Sequence, residues 1–149
     1  MPINEICNLG VICCEANTSI PELASLMRRH HVGDVVVVEK KEGQRIPIGI
    51  VTDRDIVIET IAPEVDMNLL TAGDIMSTPL VTAREDESLT DVLRTMRAQK
   101  VRRVPIVTAT GTLYGIVTAD DIVDLLSMEL SMMTKTMADQ PVRESHLRR

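Results

Sequence analysis

Aromatic side chains are nearly missing from this chain, which has no Trp, no Phe and a single Tyr, Tyr114. A core built on large rings is therefore excluded, and Val, Ile, Leu and nine Met must fill it. Met adapts to irregular gaps but specifies a surface loosely. Positive charge is also in deficit: 16 Lys and Arg stand against 22 Asp and Glu, for a net charge of −6. That argues against a non-specific nucleic-acid binder, which needs excess cations to displace counterions. No apolar run approaches the roughly 20 residues of a membrane-spanning helix. The opening Met1-Pro2-Ile3-Asn4-Glu5 has neither the basic region nor the apolar stretch of a signal peptide. Three cysteines (Cys7, Cys13, Cys14) are an odd number in a chain without export signals, so reduced thiols in the cytoplasm are expected.

Motifs that carry chemistry are missing too. The chain has no G-x-S-x-G, no Walker-type G-x-x-x-x-G-K and no dinucleotide G-x-G-x-x-G. Catalysis needs a positioned base or nucleophile, and none stands out, so the chain is expected not to be an enzyme. Adjacent residues such as His30 and His31 point apart, and no third ligand accompanies them, so no metal site is expected. The cysteines lack C-x-x-C spacing, and Cys7 reads as a packing residue.

What the chain does have is repetition. Gly-Ile-Val-Thr-Asp-Arg-Asp-Ile at Gly49–Ile56 returns as Gly-Ile-Val-Thr-Ala-Asp-Asp-Ile at Gly115–Ile122. A repeat governs every later assignment. Extended outward, it pairs Ile6 with Ile75, Cys7 with Met76, Ser19 with Ser88 and Met27 with Met96, at an offset of 69 residues. The octapeptides are 66 apart, so the first copy carries three extra residues. These belong in the turn Lys40–Arg45, where length changes are tolerated.

Each copy reads the same way. A leading turn (Ile3–Cys7; Thr71–Met76) precedes an extended stretch (Gly10–Cys13; Leu80–Thr82). An amphipathic helix follows, with Ile20, Leu23, Ala24 and Met27, or Leu89, Val92, Leu93 and Met96, at helical spacing. Ser19-x-x-Glu22 and Ser88-x-x-Asp91 mark the helix starts. Val35–Val38 is β-branched throughout, which predicts a strand covered on both faces. Its counterpart, Val104-Pro105-Ile106-Val107, contains a Pro that predicts the start or edge of a strand. A Gly-containing turn leads to a second strand (Ile48–Val51; Leu113–Val117), and a helix follows directly (Asp53–Ile61; Ala119 onward). The expected fold is α/β (α+β), β-α-β-β-α given twice. The units are 3–63 and 74–130, joined by a short connector, 64–73, with a helix extension and mobile tail over 131–149.

Thr52-x-x-Asp55 and Thr118-x-x-Asp121 stand where a buried strand meets a helix. Backbone N–H groups and the helix dipole favour an anion there. A Thr hydroxyl can donate to phosphate or ribose, and an Asp can accept from a ribose diol. The same pattern is also a capping box that satisfies only the helix itself. From the four residues alone both readings stay open.

The chain resembles a tandem pair of cystathionine-β-synthase (CBS) domains, free-standing, over about Ile3 to Met128. The resemblance is carried by Gly-Ile-Val-Thr-x-x-Asp-Ile twice, by Asp74-Ile75-Met76-Ser77-Thr78-Pro79-Leu80-Val81 and by Val101-Arg102-Arg103-Val104-Pro105-Ile106-Val107. It implies two units packed about a pseudo-twofold axis, and clefts between them for an adenosine-containing ligand. AMP, ADP or ATP is expected, with NAD or S-adenosylmethionine as further candidates and no required cofactor. It also implies a homodimer and a regulated protein partner. By the same resemblance Thr52, Asp55, Thr118 and Asp121 contact phosphate and ribose, Val32 and Val101 pack near the base, and Arg102 and Arg103 reach phosphate. The copies differ here. Gly33 and Asp34 stand where the second copy has Arg102 and Arg103, and Arg54 stands where it has Asp120. Arg54 and His31 are the first copy's own basic candidates, and two unequal clefts are expected. The expected function is regulatory sensing of an adenosine nucleotide. The alternatives are an interaction module with vestigial clefts and a thiol or metal sensor.

Overall fold

The structure is a computed structural model that describes residues 1–147, with side chains as far as Asp139. The chain divides into a compact unit, Met1–Val117, and a second unit from Thr118 onward. The first unit opens with a 3-10 turn, Ile3–Glu5. Strand β1 (Cys13–Glu15), helix α1 (Ile20–His30) and the hairpin β2 (Asp34–Lys41) and β3 (Gln44–Thr52) follow. Helix α2 (Asp53–Ile56) runs into a π-helical turn, Val57–Ile61. After a 3-10 turn at Met67–Leu69 come α3 (Ala72–Ile75), β4 (Ala83–Arg84), α4 (Leu89–Gln99), β5 (Arg103–Val107) and β6 (Leu113–Thr118). Helix α5 spans Ala119–Leu147.

The strands form two three-stranded sheets, ordered β1-β2-β3 and β4-β5-β6. In each, a short parallel strand pairs with the strand that follows the helix. The first hairpin turns at Glu42-Gly43, whose φ values of 51° and 77° are both positive. A two-residue turn of that hand matches the right-handed twist of the flanking strands.

Val35, Val36, Val37 and Val38 are all buried, as their composition predicts. Two different cores cover them. Val35 and Val37 join Ile20, Leu23 and Met27 of α1 together with Ala72 and Ile75 of α3. Val36 and Val38 join Ile50 with Leu113 and Ile116 of β6. Each buried Val contributes about 1.5–3 kcal/mol, so this one strand holds a large share of the core's stabilisation.

The leading turns are exchanged between the copies. Ile3 N donates to Glu87 O at 2.7 Å, and its repeat twin Ala72 N donates to Thr18 O at 2.8 Å. Asn8 N donates to Ile116 O at 2.8 Å, and Ser77 N to Ile50 O at 2.9 Å. Each copy thus pairs its first segment with the body of the other, and the first copy and the second copy as far as Val117 lie in one compact unit. It also moves the short strands. Asn8 and Ser77 bridge to the other copy, so β1 and β4 begin only at Cys13 and Ala83, not at Gly10 and Leu80 as the sequence predicts.

Three further expectations change. Pro105 sits inside β5, the central strand of its sheet, not at a start or edge. Val36 N donates to Ile12 O at 3.0 Å, but Pro105, its twin, has no N–H to donate. The pair equivalent to Cys13↔Val36 is accordingly missing, and β4 is paired only through Ala83↔Ile106 and Arg84↔Val107. The predicted helix Asp53–Ile61 is α-helical only to Ile56. Beyond that the buried Thr60 hydroxyl donates to Ile56 O, the carbonyl a regular ladder would use, and the backbone widens. Helix α5 continues to Leu147 through most of the segment expected to be a tail, and Arg148 and Arg149 lie outside the described residues.

Candidate functional site

A cleft of about 150 Å³ lies where the copies meet. The end of β3 supplies Ile50 and Thr52. The segment leading to β4 supplies Ser77, Pro79, Leu80 and Val81, held against β3 by the Ser77–Ile50 hydrogen bond. The turn from α4 into β5 supplies Val101, Arg102 and Arg103. A second hollow of about 550 Å³ shares Pro79, Leu80, Val81 and Val101 and adds Thr82, Thr95 and Gln99. The combined lining sets apolar Ile50, Pro79, Leu80, Val81 and Val101 beside hydroxyl, amide and guanidinium groups.

Local chemistry fixes the Val101 end. Helix α4 closes with Lys100 in the left-handed region at φ 56°, and Val101 N donates back to Met96 O at 3.0 Å. This turns the chain sharply and presents Val101 at the cleft. The first copy closes the same way, with His31 at φ 53° and Val32 N on Met27 O. His31 is thus an exposed helix cap, and Val32 does not line the cleft.

The octapeptide turn is a full capping box. Thr52 N donates to Asp55 Oδ2 at 2.8 Å, and Asp55 N donates to Thr52 Oγ1 at 3.1 Å. Asp53 N donates to Gly33 O and Arg54 N to Asp53 Oδ1. Every N–H from Thr52 to Asp55 therefore has a partner within the protein. The amides expected to receive a phosphate are occupied; what Thr52 can still offer is its hydroxyl proton. In the second unit Asp121 N donates to Thr118 Oγ1 at 3.1 Å, the same capping contact.

Of the residues singled out from sequence, the cleft gathers Thr52, Val101, Arg102 and Arg103. Asp55 stands behind Thr52 as its capping partner, and Arg54 is exposed on α2. Neither lines the cleft. Ile50, Ser77, Pro79, Leu80 and Val81 line it without having been singled out as binding residues. The signal was present for all five, since Ile50 and Ser77–Val81 both lie in stretches that carry the family resemblance.

Arg103 is not an unengaged cation. Its Nε donates to Asp34 Oδ2 at 2.6 Å, with the two side chains 33% and 19% exposed. A Cβ placed on Gly33 would lie 3.4 Å from Asp53 Oδ2 and 3.7 Å from Arg103 Nη2, so Asp53 crowds the same corner. Arg102 is engaged as well.

The profile of the CBS domain matches residues 3–60 and again 72–128. The chain belongs to the CBS-domain family. As a CBS pair it is 37% identical over 123 residues to a Methanopyrus kandleri protein, covering 83% of this chain and 61% of that one. It thus spans less than two thirds of that relative's length. It is 33% identical over 118 residues to hypoxic response protein 1 of Mycobacterium tuberculosis, 79% of this chain and 80% of that one. A crystal structure of Hypoxic Response Protein I with two coordinated zinc ions superposes with a TM-score of 0.72 at 31% identity, over 83% of this chain and 98% of that one. Among the described residues here, no group of three His, Cys, Asp or Glu gathers to hold a metal ion. The CBS domain pair of protein MJ0100, in complex with 5′-methylthioadenosine and S-adenosyl-L-methionine, superposes with a TM-score of 0.74 at 29% identity, over 87% of this chain and 98% of that one. No helix among the described residues is long and apolar enough to cross a membrane.

Proposed function

We propose that this CBS pair is a regulatory, non-catalytic module whose cleft takes an adenosine-containing ligand. The observation that carries the reading is the composition of the cleft. Thr52 comes from one copy and Val101–Arg103 from the other, so a ligand held by both alters how the copies sit together. A ligand can bias two states only through its different affinities for them, and a site built from both copies supplies that difference. The apolar lining of Ile50, Leu80, Val81 and Val101 suits a base, and the Thr52 hydroxyl suits a ribose. The MJ0100 complex adds that an adenosine ligand is accommodated in a CBS pair of this kind. AMP, ADP, ATP, NAD and S-adenosylmethionine are the ligands to compare.

The output passes through self-association or a protein partner. Val123, Met128, Leu130, Met132, Met133 and Met137 of α5 are exposed, which supports a homodimer. Three free cysteines fit a reducing compartment such as the cytoplasm. The thiol-sensor reading is disfavoured, because burial raises the pKa of Cys7, Cys13 and Cys14 above the ordinary thiol value, and the thiolate is the reactive form.

A thermal-shift screen with AMP, ADP, ATP, NAD, S-adenosylmethionine, 5′-methylthioadenosine and GMP tests the reading. A ligand at a hundred times its Kd should stabilise the folded chain by about 2.7 kcal/mol, and GMP should do so least. If no adenosine compound moves the transition, the cleft is vestigial and the interaction-module reading replaces this one.

A further inference from the structure

Arg103 is one of the two side chains the family resemblance assigns to phosphate, with Arg102, yet it is already bonded to a carboxylate of the other copy. The bond to Asp34 is short at 2.6 Å and charge-assisted, in a corner shielded from much of the solvent. The Asp53 carboxylate faces the same corner across Gly33. Arg102 is engaged within the protein. The amides of Thr52, Asp53, Arg54 and Asp55 are all spent on local hydrogen bonds. A phosphate entering this cleft thus meets an Arg103 already paired with a carboxylate, an Arg102 already engaged, a second carboxylate close by and no spare N–H on the octapeptide turn. A neutral substituent at the same place meets no such opposition.

We propose that Asp34 acts as a charge filter on the cleft: by holding Arg103 it makes the site prefer adenosine ligands that lack a 5′-phosphate over AMP and its higher phosphates. Asp34 does not line the cleft; it acts through Arg103, which does. The inference rests on the adenosine-binding reading above and narrows it to a ligand class.

The test is calorimetric titration of the full chain with 5′-methylthioadenosine and with AMP, for the wild type, Asp34→Asn and Asp34→Asn/Arg103→Gln. Asn keeps the shape and an acceptor for Arg103 while removing the charge. The wild type should bind 5′-methylthioadenosine at least about tenfold more tightly than AMP. Asp34→Asn should tighten AMP by about tenfold, equivalent to about 1.4 kcal/mol, and change 5′-methylthioadenosine much less. Adding Arg103→Gln should cancel the AMP gain, and that gain should shrink as salt is raised. Asp34→Ser, verified as folded by its thermal transition, should give the same direction. An unchanged ratio of the two affinities in Asp34→Asn overturns the filter while leaving adenosine binding intact. Weaker AMP binding in Asp34→Asn also overturns it, because Asp34 would then be orienting Arg103 toward phosphate. If neither compound binds any of the proteins, the adenosine reading fails and the filter fails with it.

Discussion

Asp34 and Arg103 occupy the same position in the two copies, 69 residues apart, and hydrogen-bond to each other at 2.6 Å. An internal repeat that folds about a pseudo-twofold relation brings such twin positions face to face. Two identical charges there would repel. The copies carry opposite signs at this point, and the twin positions attract instead. Exposed ion pairs give roughly 0.2–1 kcal/mol, and pairs withdrawn from water couple more strongly. A double-mutant cycle with Asp34→Ala and Arg103→Ala in urea unfolding should therefore show a coupling of about 1 kcal/mol. Additivity within about 0.3 kcal/mol would mean that the pair is ornamental for stability.

The capping box at Thr52 and Asp55 gives these residues a structural duty that any binding role must share. Asp55→Ala should lower unfolding free energy by roughly 0.5–2 kcal/mol, the range for a lost helix cap. Thr52→Ser keeps the hydroxyl and should stay within about 0.5 kcal/mol of wild type. The Asp55→Ala/Asp121→Ala protein, titrated where it remains folded, should bind its ligand more weakly; wild-type affinity would exclude both carboxylates from ligand binding and leave Asp55 its cap alone.

The glycines that open the octapeptides should both resist a methyl group. A Cβ on Gly115 would lie 2.8 Å from both the Asn8 carbonyl oxygen and Cys7 Sγ. That carbonyl is fixed, since it accepts from Ile116 N at 2.9 Å while Asn8 N donates to Ile116 O. A Cβ on Gly49 would press against Sδ of Met76, the repeat twin of Cys7, and lie 2.7 Å from its Cγ and 2.9 Å from its Cβ. The thioether can swing aside, but the Met76 Cβ is held by its own backbone, whose N–H donates to Ala72 O at 2.9 Å. Gly115→Ala and Gly49→Ala should each cost about 1–3 kcal/mol, the range for overpacking. A loss below about 0.5 kcal/mol at either position in chemical denaturation would refute the exchange of leading turns as the reason for these glycines.

Burial pushes the Cys14 thiol up from 9.0 to about 11, against a smaller opposing effect of its hydrogen bond with Thr18. Because the folded chain keeps this proton longer than the unfolded chain, the contribution is fully present below pH 9. It is lost as pH rises toward and through 11. The stability difference between wild type and Cys14→Ala should thus shrink between pH 8 and 10.5 in urea titrations. Alkylation of Cys14 by iodoacetamide at pH 8 should be slow until the chain unfolds. Fast labelling of the native protein would contradict its burial.

Much of the fold is legible in the residues themselves. Ser19 and Ser88 accept from Glu22 N and Asp91 N as cap signals predict. Apolar spacing locates α1 and α4, and the octapeptide marks each strand-to-helix turn. These features follow from hydrogen bonds and burial within a few residues, where sequence spacing is spatial spacing. Pro105 misleads because its meaning depends on a neighbouring strand. As the central residue of a central strand it is tolerated only because β4 makes no pair beside it. The π-helical turn after Ile56 escapes a periodicity argument, since one buried hydroxyl, Thr60, changes the ladder.

The sequence by itself determined the duplication, the order of elements and the Thr-x-x-Asp caps, because each is written in local spacing. Only the tertiary structure decided that the leading turns cross between copies and that Ser77–Val81 joins Thr52 and Val101–Arg103 around one cleft. It also decided that Arg103 is spent on Asp34. These depend on residues dozens of positions apart, and no local period encodes which of them will meet. Packing the two copies against each other brings those residues together, and the site is built at that contact.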